Sequence, residues 1–384
     1  MCAAAGFVLG LLVPEVTGGP QVDAGQVVTF LFTIGFGVIS LVSIIYSMLF
    51  LVVQFSASMF TPRLGLFRDE PVVWRTFAVT VGVFVFAITA ALAIGTRGSV
   101  SVLVPTVAMM LLLAALGLMW SLQTRAFSSI QLAHALTAIT TRAYQVFAAS
   151  YPLPYDPRRV PPASSATPGL PVRWTGVACV VQRIDVPLLV GMARERGSSI
   201  TFRVRTGETL SWGATLAEVT GGRVSESELR GAVTTGVERT FDHDPELPFR
   251  ILADITLRAL SPAVNDPATA VESLNRIEDL LTRLADRDLE VGRVTEADGT
   301  VRVTVPAPDW DRFVRTAVDD VIIAAAASPM TLLHLRAVLH RVAERSPETR
   351  RRIVQDRLHW VERTGRGAHP LIWAASVDPS VDLA

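Results

Sequence analysis

The chain has 384 residues, of which 50% are hydrophobic and only 18% are charged. Soluble domains are richer in charge, so this composition indicates an integral membrane protein that also carries a soluble region. Basic and acidic residues balance at 35 each, which excludes a strongly basic nucleic-acid-binding protein. Every basic residue is Arg, and a chain without Lys cannot hold a Walker A lysine or a lysine-linked cofactor. The two cysteines, Cys2 and Cys179, provide neither a disulfide framework nor a CxxC zinc site. We predict no cofactor.

The first third of the chain consists of apolar stretches separated by short polar loops. Residues 24–62, 76–96 and 98–124 carry no charged side chain, and each exceeds the roughly 20 residues that cross a bilayer. Residues 3–13 are apolar but too short to span, and they lack the basic flank of a signal peptide. We expect them to be the back half of a first span that starts upstream of Met1, or a re-entrant or surface half-helix.

The distribution of Arg predicts the orientation of these spans. Loop 54–75 contains Arg63, Arg68 and Arg75, whereas loops 14–26 and 95–100 together contain only Arg97. Positive charge accumulates in cytoplasmic loops. We therefore predict a multi-pass membrane protein, with loop 54–75 and the C-terminal region in the cytoplasm.

Polar residues in the first long apolar stretch recur at spacings of three, four or seven, which predicts one stripe on a helix. The candidate pore-lining residues of this stripe are Ser40, Ser43, Ser47, Gln54 and Ser58. The alternative is helix packing through small residues, which is common in membrane bundles. The spans contain no acidic or basic residue, which argues against a proton-coupled pump.

The predicted fold class is a membrane α-helical N-terminal bundle, with three full spans plus a short or truncated first helix, followed by a cytoplasmic α+β region. Residues 1–150 form the transmembrane domain, including a cytoplasmic extension of the last helix. Residues 151–171 contain seven prolines and are predicted to be a linker. Residues 172–222 alternate like strands and predict a small β-barrel-like unit. Residues 223–384 are predicted to be mainly helical, with a short helix over 225–236 and an irregular tail beyond Gly365.

Chemically active residue types are densest between residues 239 and 266. The candidate ligand-binding or structural network comprises Arg239, Thr240, Asp244, Asp254, Arg258, Asn265 and Asp266. In the structural interpretation, Arg239 and Arg258 pair with Asp254 and Asp266 and lock two helices together. Asp244 could instead cap the helix that follows it. The alternatives are an anion or nucleotide site, and a metal site formed by Asp242, His243 and Asp244. Asp266 before Pro267 predicts a helix start.

Residues 254–270, which read DITLRALSPAVNDPATA, resemble the segment near RALSPGINDPFTA of an uncharacterised bacterial membrane-protein family, domain of unknown function 2254. Arg239, Thr240 and Asp244 match the RT…QD element of that family, with His243 in place of its Gln. Residues 54–63, residues 182–185 and the hairpin at Gly207 are also similar to family segments. The resemblance covers nearly the whole chain and implies four N-terminal spans, so the short first apolar run departs from the pattern. It also implies a location in the bacterial inner (plasma) membrane, but it implies no function.

Three functions remain open. The first is a homo-oligomeric, channel-like or transport-like protein with a cytoplasmic regulatory domain. The second is a membrane-anchored ligand sensor or scaffold, and the third is a membrane-embedded enzyme acting on a lipid or envelope substrate. We assign no catalytic or metal-binding residue, because the chain has no nucleophile elbow, HExxH motif or P-loop. The expected partners are the lipid bilayer, further copies of the chain and a small ion or anionic ligand, but not nucleic acid.

Overall fold

The computed structural model describes residues 1–59, 71–130, 132–158, 169–296 and 299–375. The chain forms two compact units, residues 1–135 and 136–384. The elements of the first unit are α1 (Cys2–Leu12), β1 (Gln21–Asp23), α2 (Ala24–Met59), α3 (Pro71–Ile94), β2 (Ser99–Ser101) and α4 (Leu103–Ile130).

Three helices in the described part of the chain are long and apolar enough to cross a membrane, over Ala24–Met48, Val73–Ile94 and Leu103–Thr124. They confirm the three spans predicted from the charge-free stretches. The apolar segment Cys2–Glu15 is shorter than these spans. The core of the first unit lies between α2, α3 and α4 and includes Leu31, Phe86 and Val104, which are fully buried.

The loop before α2 and the loop before α4 meet at one end of this bundle. β1 and β2 pair antiparallel, with Val22 opposite Val100. Arg97 donates to the carbonyl oxygen of Pro14 at 2.9 Å and pairs with Glu15 at 2.5 Å. These contacts bring together the two loops that the Arg count assigned to one side of the membrane.

Helix α1 packs against α3 through glycines that allow their backbones to touch. A Cβ atom added at Gly6 would lie 2.2 Å from the carbonyl oxygen of Gly82. One added at Gly10 would lie 2.7 Å from the Cβ atom of Thr89. Gly6 and Gly10 are four residues apart, which is the small-xxx-small spacing of close helix pairs in membranes. The short first helix is therefore a packed part of the bundle.

We expect Gly6→Ala to destabilise the first unit by about 1–3 kcal/mol, because the new methyl group would meet a backbone carbonyl that cannot rotate away. Gly117→Ala is the matched control, since no atom lies within 4 Å of a Cβ placed at this α4 position. Thermal unfolding of the full chain in detergent measures both variants. Equal melting temperatures for Gly6→Ala and Gly117→Ala would contradict the close α1–α3 contact.

The second unit combines two small sheets with a group of packed helices. Its helices are α5 (Leu132–Ser150, which begins just before the unit), α6 (Val186–Glu195), α7 (Glu226–Gly231), α8 (Leu247–Ala259), α9 (Pro267–Ala285), α10 (Trp310–Ala325), α11 (Pro329–Arg345), α12 (Glu348–Ala368) and α13 (Pro370–Ala375). Its strands are β3 (Leu170–Arg173), β4 (Cys179–Ile184), β5 (Ser199–Phe202), β6 (Thr209–Leu210), β7 (Thr215–Thr220), β8 (Val233–Gly236), β9 (Arg293–Thr295) and β10 (Val301–Thr304).

The strands do not close into the predicted barrel. They form a five-stranded sheet in the order β3-β7-β5-β10-β9 and a three-stranded sheet in the order β6-β4-β8. The larger sheet therefore keeps open edges at β3 and β9, whereas a barrel has none. β10 pairs parallel with β5, with Val303 opposite Ile200. This pairing inserts a segment from a hundred residues downstream into the sheet, which local alternation of residues could not reveal.

Two further local predictions were wrong. The helix predicted over 225–236 ends at Gly231, and the second half of that segment is β8, which pairs with β4. The described residues beyond Gly365 are mainly helical and not irregular, because α12 extends to Ala368 and α13 covers Pro370–Ala375. Trp373 of α13 is buried over Gly365 and donates its indole N–H to Glu362 at 2.8 Å. A buried aromatic anchor thus orders a segment whose local pattern is weak.

The described ends of the Pro-rich segment 151–171 are bound to the second unit. Leu153 and Tyr155 exchange backbone hydrogen bonds with the turn after α9, through the N–H of Asp288 and the carbonyl oxygen of Asp286. At the other end, Leu170 and Pro171 form part of β3. Residues 159–168 lie outside the described residues.

Candidate functional site

The centre of the predicted polar network is a buried ion pair between Arg239 and Asp244. The Nε and Nη2 atoms of Arg239 lie 2.6 and 2.9 Å from the two carboxylate oxygens of Asp244. The Asp244 side chain is only 1% exposed. Its Oδ1 atom also accepts from the N–H groups of Glu246 and Leu247, each at 3.2 Å. Asp244 thus caps the start of α8, as one sequence hypothesis proposed, and also binds an Arg in the bidentate geometry that suits guanidinium groups.

The turn between β5 and β6 covers this pair with Gly207; the two strands belong to different sheets, so the predicted hairpin at Gly207 does not form. A Cβ atom there would lie 2.3 Å from Oδ2 of Asp244 and 2.8 Å from Nε of Arg239. Gly207 has φ +85°, a conformation that other residues rarely adopt. Its N–H donates to the carbonyl oxygen of Val181 at 2.8 Å, and this bond attaches the turn to β4. The ion pair therefore joins the β-sheet part of the second unit to its helices.

A second buried acid, Glu246, lies beside Asp244 and has its own partners. Arg312 donates to one carboxylate oxygen at 2.9 Å and Thr316 donates to the other at 2.6 Å. Burial raises the pKa of Asp244, and Arg239 offsets only part of that effect. Burial also acts to raise the pKa of Glu246, but the hydrogen bonds from Thr316 and Arg312 outweigh it and the pKa is lowered. Asp244 is thus held by Arg239 from the chain before α8, and Glu246 is held by Arg312 and Thr316 of α10.

The predicted pairs of Arg239 and Arg258 with Asp254 and Asp266 are not the ones that form. Asp254 pairs with Arg250 one turn earlier in α8, at 2.8 Å. Asp266 instead accepts from Thr269, through its backbone N–H at 3.1 Å and its hydroxyl at 2.6 Å. This confirms the predicted start of α9 at Pro267. Asp254 and Asp266 thus each have a partner within four residues along the chain.

The other predicted residues have local roles. Thr240 is half-buried and precedes a 3₁₀ turn, Phe241–His243. Asn265 has φ +47° and donates its backbone N–H to the carbonyl oxygen of Ser261 at 2.9 Å, in the turn between α8 and α9. The Nε atom of Arg258 is buried and has no hydrogen-bond partner among the described residues.

The metal alternative has no geometric support in the described part of the chain. Asp242 and His243 are exposed, whereas the carboxylate of Asp244 is bound to Arg239. Within the described ranges, no three His, Cys, Asp or Glu side chains are placed to hold one metal ion.

The predicted stripe on α2 lies on the outer surface of the first unit. Ser40, Ser43 and Ser47 are exposed, as are Thr29 and Thr33. The packed side of the same helix contains Leu31, Val38 and Val42, which are buried. At 100° per residue, the two rows lie on opposite sides of the helix. The side chains of Gln54 and Ser58 lie outside the part that the structure describes.

The hydroxyl groups of this outer row bond to their own helix. Thr33 donates to the carbonyl oxygen of Thr29 at 2.8 Å, and Ser47 donates to that of Ser43 at 2.8 Å. Such bonds to the preceding turn reduce the cost of a hydroxyl group in an apolar surrounding. They leave the hydroxyl oxygens able to accept further hydrogen bonds.

The sequence analysis missed a cleft of about 360 Å³ in the second unit. Its ionisable lining includes Arg183, Asp185, Arg205 and His243, and Tyr151 lines it from the end of α5. Burial and the charges of Asp244 and Glu246 raise the pKa of Tyr151, so this phenol stays protonated. One feature of the sequence could have pointed to this cleft. Residues 182–185 and the segment at Gly207 both resemble family segments, and both border the cleft.

Comparison with known proteins identifies the family. Residues 1–341 match the family described as Predicted membrane protein (DUF2254). Uncharacterized proteins of Mycobacterium bovis and of Mycobacterium tuberculosis strain H37Rv are each 28% identical over 211 residues, which is 53% of this chain and 40% of the relative. One of M. tuberculosis strain CDC 1551 is 30% identical over 135 residues, or 35% of this chain and 26% of that protein. The matches thus cover less than half of each relative's length. No solved structure matches the chain. The chain belongs to the family of predicted membrane proteins whose motifs its sequence contains.

Proposed function

We propose that this membrane protein assembles from several copies, that the outer faces of their α2 helices face one another, and that their hydroxyl groups line a passive path for a small ion. The second unit would then be a regulatory domain in the cytoplasm of a bacterial cell. One observation carries the proposal, namely the outward hydroxyl row of α2, opposite the face that packs in the bundle.

The hydroxyl row of α2 lies among exposed apolar side chains. Phe36 and Ile44 on the same side are apolar and more than half exposed, so this side is a mixed surface and not a purely polar one. Serine and threonine on a membrane-facing helix gain more from polar or protein partners than from acyl chains. A second copy of α2, with water between the copies, supplies such partners. The three spans contain no acidic residue, and their only basic one is Arg75 near the start of the second span, which favours passive conduction over proton coupling.

Ion flux through the purified protein in liposomes tests the proposal. We expect the parent to conduct and Ser47→Leu to lose most of the flux, because Leu replaces a hydroxyl group with a bulkier apolar side chain. Met110→Leu is the control, since Met110 is 65% exposed on α4 but lies outside the hydroxyl row. A conducting Ser47→Leu variant, or a parent that does not conduct at any voltage or pH, would refute the ion path.

Disulfide crosslinking tests the assembly separately. Cys2 and Cys179 are the only cysteines and can be replaced by Ser. In that background we expect Ser43→Cys to form dimers in membranes under mild oxidation, whereas Met110→Cys stays monomeric.

A ligand-sensing function is the second candidate, and the cleft of the second unit favours it. An enzyme acting on lipid would need titratable groups at the membrane face. The acidic residues of loop 54–75, Asp69 and Glu70, lie outside the described residues.

A further inference from the structure

We propose that the cleft of the second unit binds a small amphipathic anion, a phosphate or carboxylate group on an apolar body, and that Arg183 and Arg205 hold the charged group. The inference does not depend on the ion path, because every residue that lines the cleft belongs to the second unit.

The two arginines have donors to offer. Arg205 is half-buried and uses Nε and Nη2 on the carboxylate of Glu208, at 2.6 and 2.5 Å. Arg183 contacts Asp185 through Nη2 at 3.4 Å. A guanidinium group has five N–H donors, so these described contacts leave the Nη1 groups of both arginines for an oxyanion. The acidic neighbours hold the arginines in place and reduce the cost of ordering them on binding.

Asp185, the carboxylate that lines the cleft, is already engaged. Its Oδ1 atom accepts from the N–H of Leu188 at 3.1 Å as the N-cap of α6, and its Oδ2 atom faces Arg183. The negative charge is therefore shared between a helix start and a guanidinium group, both of which attenuate its repulsion of an anion. Among the residues that line the cleft, Asp185 is the only acidic one.

Apart from Ser150, Tyr151 and Thr206, the remaining lining residues of the cleft are apolar. They include Val186, Val291, Val305, Pro306 and Pro308. A bare inorganic ion would leave most of this surface without a partner, whereas a ligand with an apolar body would cover it. A volume of about 360 Å³ lies in the lower part of the range for small-molecule sites. The lining of the cleft thus suits a ligand with one negatively charged end and one apolar end.

Thermal unfolding of the full chain in detergent, with three probes at equal millimolar concentrations, tests the proposal. Phenyl phosphate has both ends of the expected ligand, inorganic phosphate lacks the apolar body, and benzyl alcohol lacks the charge. Binding to the folded state raises the melting temperature. We expect a clear rise with phenyl phosphate and smaller rises with the other two probes. Benzoate, tested in parallel, distinguishes a carboxylate from a phosphate as the preferred head group.

Two variants locate the site, and one controls for charge. Arg205→Gln should weaken phenyl phosphate binding at least tenfold, and Arg183→Gln, at a more exposed position, provides the same test if Arg205→Gln fails to fold. Arg203→Gln is the matched control, because Arg203 also pairs with a glutamate, Glu218, but does not line the cleft. No stabilisation by phenyl phosphate or benzoate would overturn the proposal. Equal stabilisation by inorganic phosphate, or equal weakening in Arg203→Gln, would overturn it as well.

Discussion

Replacing Arg239 with Ala is expected to destabilise the second unit by about 3–5 kcal/mol, because it leaves the carboxylate of Asp244 buried without its cation. The bidentate contacts of 2.6 and 2.9 Å would be lost, and the neighbouring Glu246 adds a second negative charge nearby. The two backbone N–H groups at the start of α8 would remain as partners. Thermal unfolding of the full chain, with hydrogen exchange over residues 239–260, measures the loss.

The loss of unfolding free energy caused by Arg239→Ala should increase as the pH rises. Burial already places the pKa of Asp244 above its ordinary value, so the folded state binds this proton more tightly than the unfolded state does. Stability from such a group is present at low pH and is lost as the pH rises through the folded-state pKa. Removing Arg239 raises that pKa further and weakens the lowering effect of Arg239 on Glu246. We therefore expect a smaller penalty at about pH 5 than at about pH 8.

The control for this prediction is Arg203→Ala. Arg203 makes a similar bidentate contact, with Nε and Nη2 at 2.9 and 2.6 Å from Glu218, but on the surface. Exposed pairs of this kind contribute little because water and salt screen them. A comparable melting temperature for Arg239→Ala and Arg203→Ala would contradict the role of the buried pair, as would a penalty for Arg239→Ala that does not change with pH.

Features encoded in one continuous segment of the chain could be predicted from the sequence. The three spans follow from long charge-free stretches, and the start of α9 follows from Asp266 before Pro267. Both depend on local physics, namely transfer into lipid and the capping of free N–H groups. The sequence left the role of Asp244 open between capping the following helix and binding a metal with Asp242 and His243, and its ion pair with Arg239 was not predicted.

Features that depend on distant segments could not be predicted. β10 joins the sheet beside β5 across about a hundred residues, and no local pattern distinguishes this parallel neighbour from a separate hairpin. The bond of Arg239 to Asp244, rather than to Asp254, reflects the path of the chain between them. The α1–α3 contact needs both Gly6 and Gly82, and only the paired helices reveal that their backbones touch.

The most discriminating test of the site architecture compares Gly207→Ala with Gly213→Ala. Both glycines have nearly the same φ, +85° and +83°, so the alanines carry a similar backbone penalty of about 1–2 kcal/mol. A Cβ atom at Gly213 meets no atom within 4 Å, whereas one at Gly207 would lie 2.3 Å from Oδ2 of Asp244. Asp244 cannot retreat easily, because Arg239 and the start of α8 hold it.

We therefore expect Gly207→Ala to cost about 1–3 kcal/mol more than Gly213→Ala, measured as the difference in unfolding free energy of the full chain. The excess should vanish when Arg239 and Asp244 are both replaced by Ala, because the methyl group then enters the space that their side chains vacate. Such non-additivity is the signature of direct contact between residues. Equal losses of unfolding free energy for the two glycine substitutions would mean that the turn at Gly207 does not contact the ion pair. An extra loss for Gly207→Ala that persists when Arg239 and Asp244 are both Ala would mean the same.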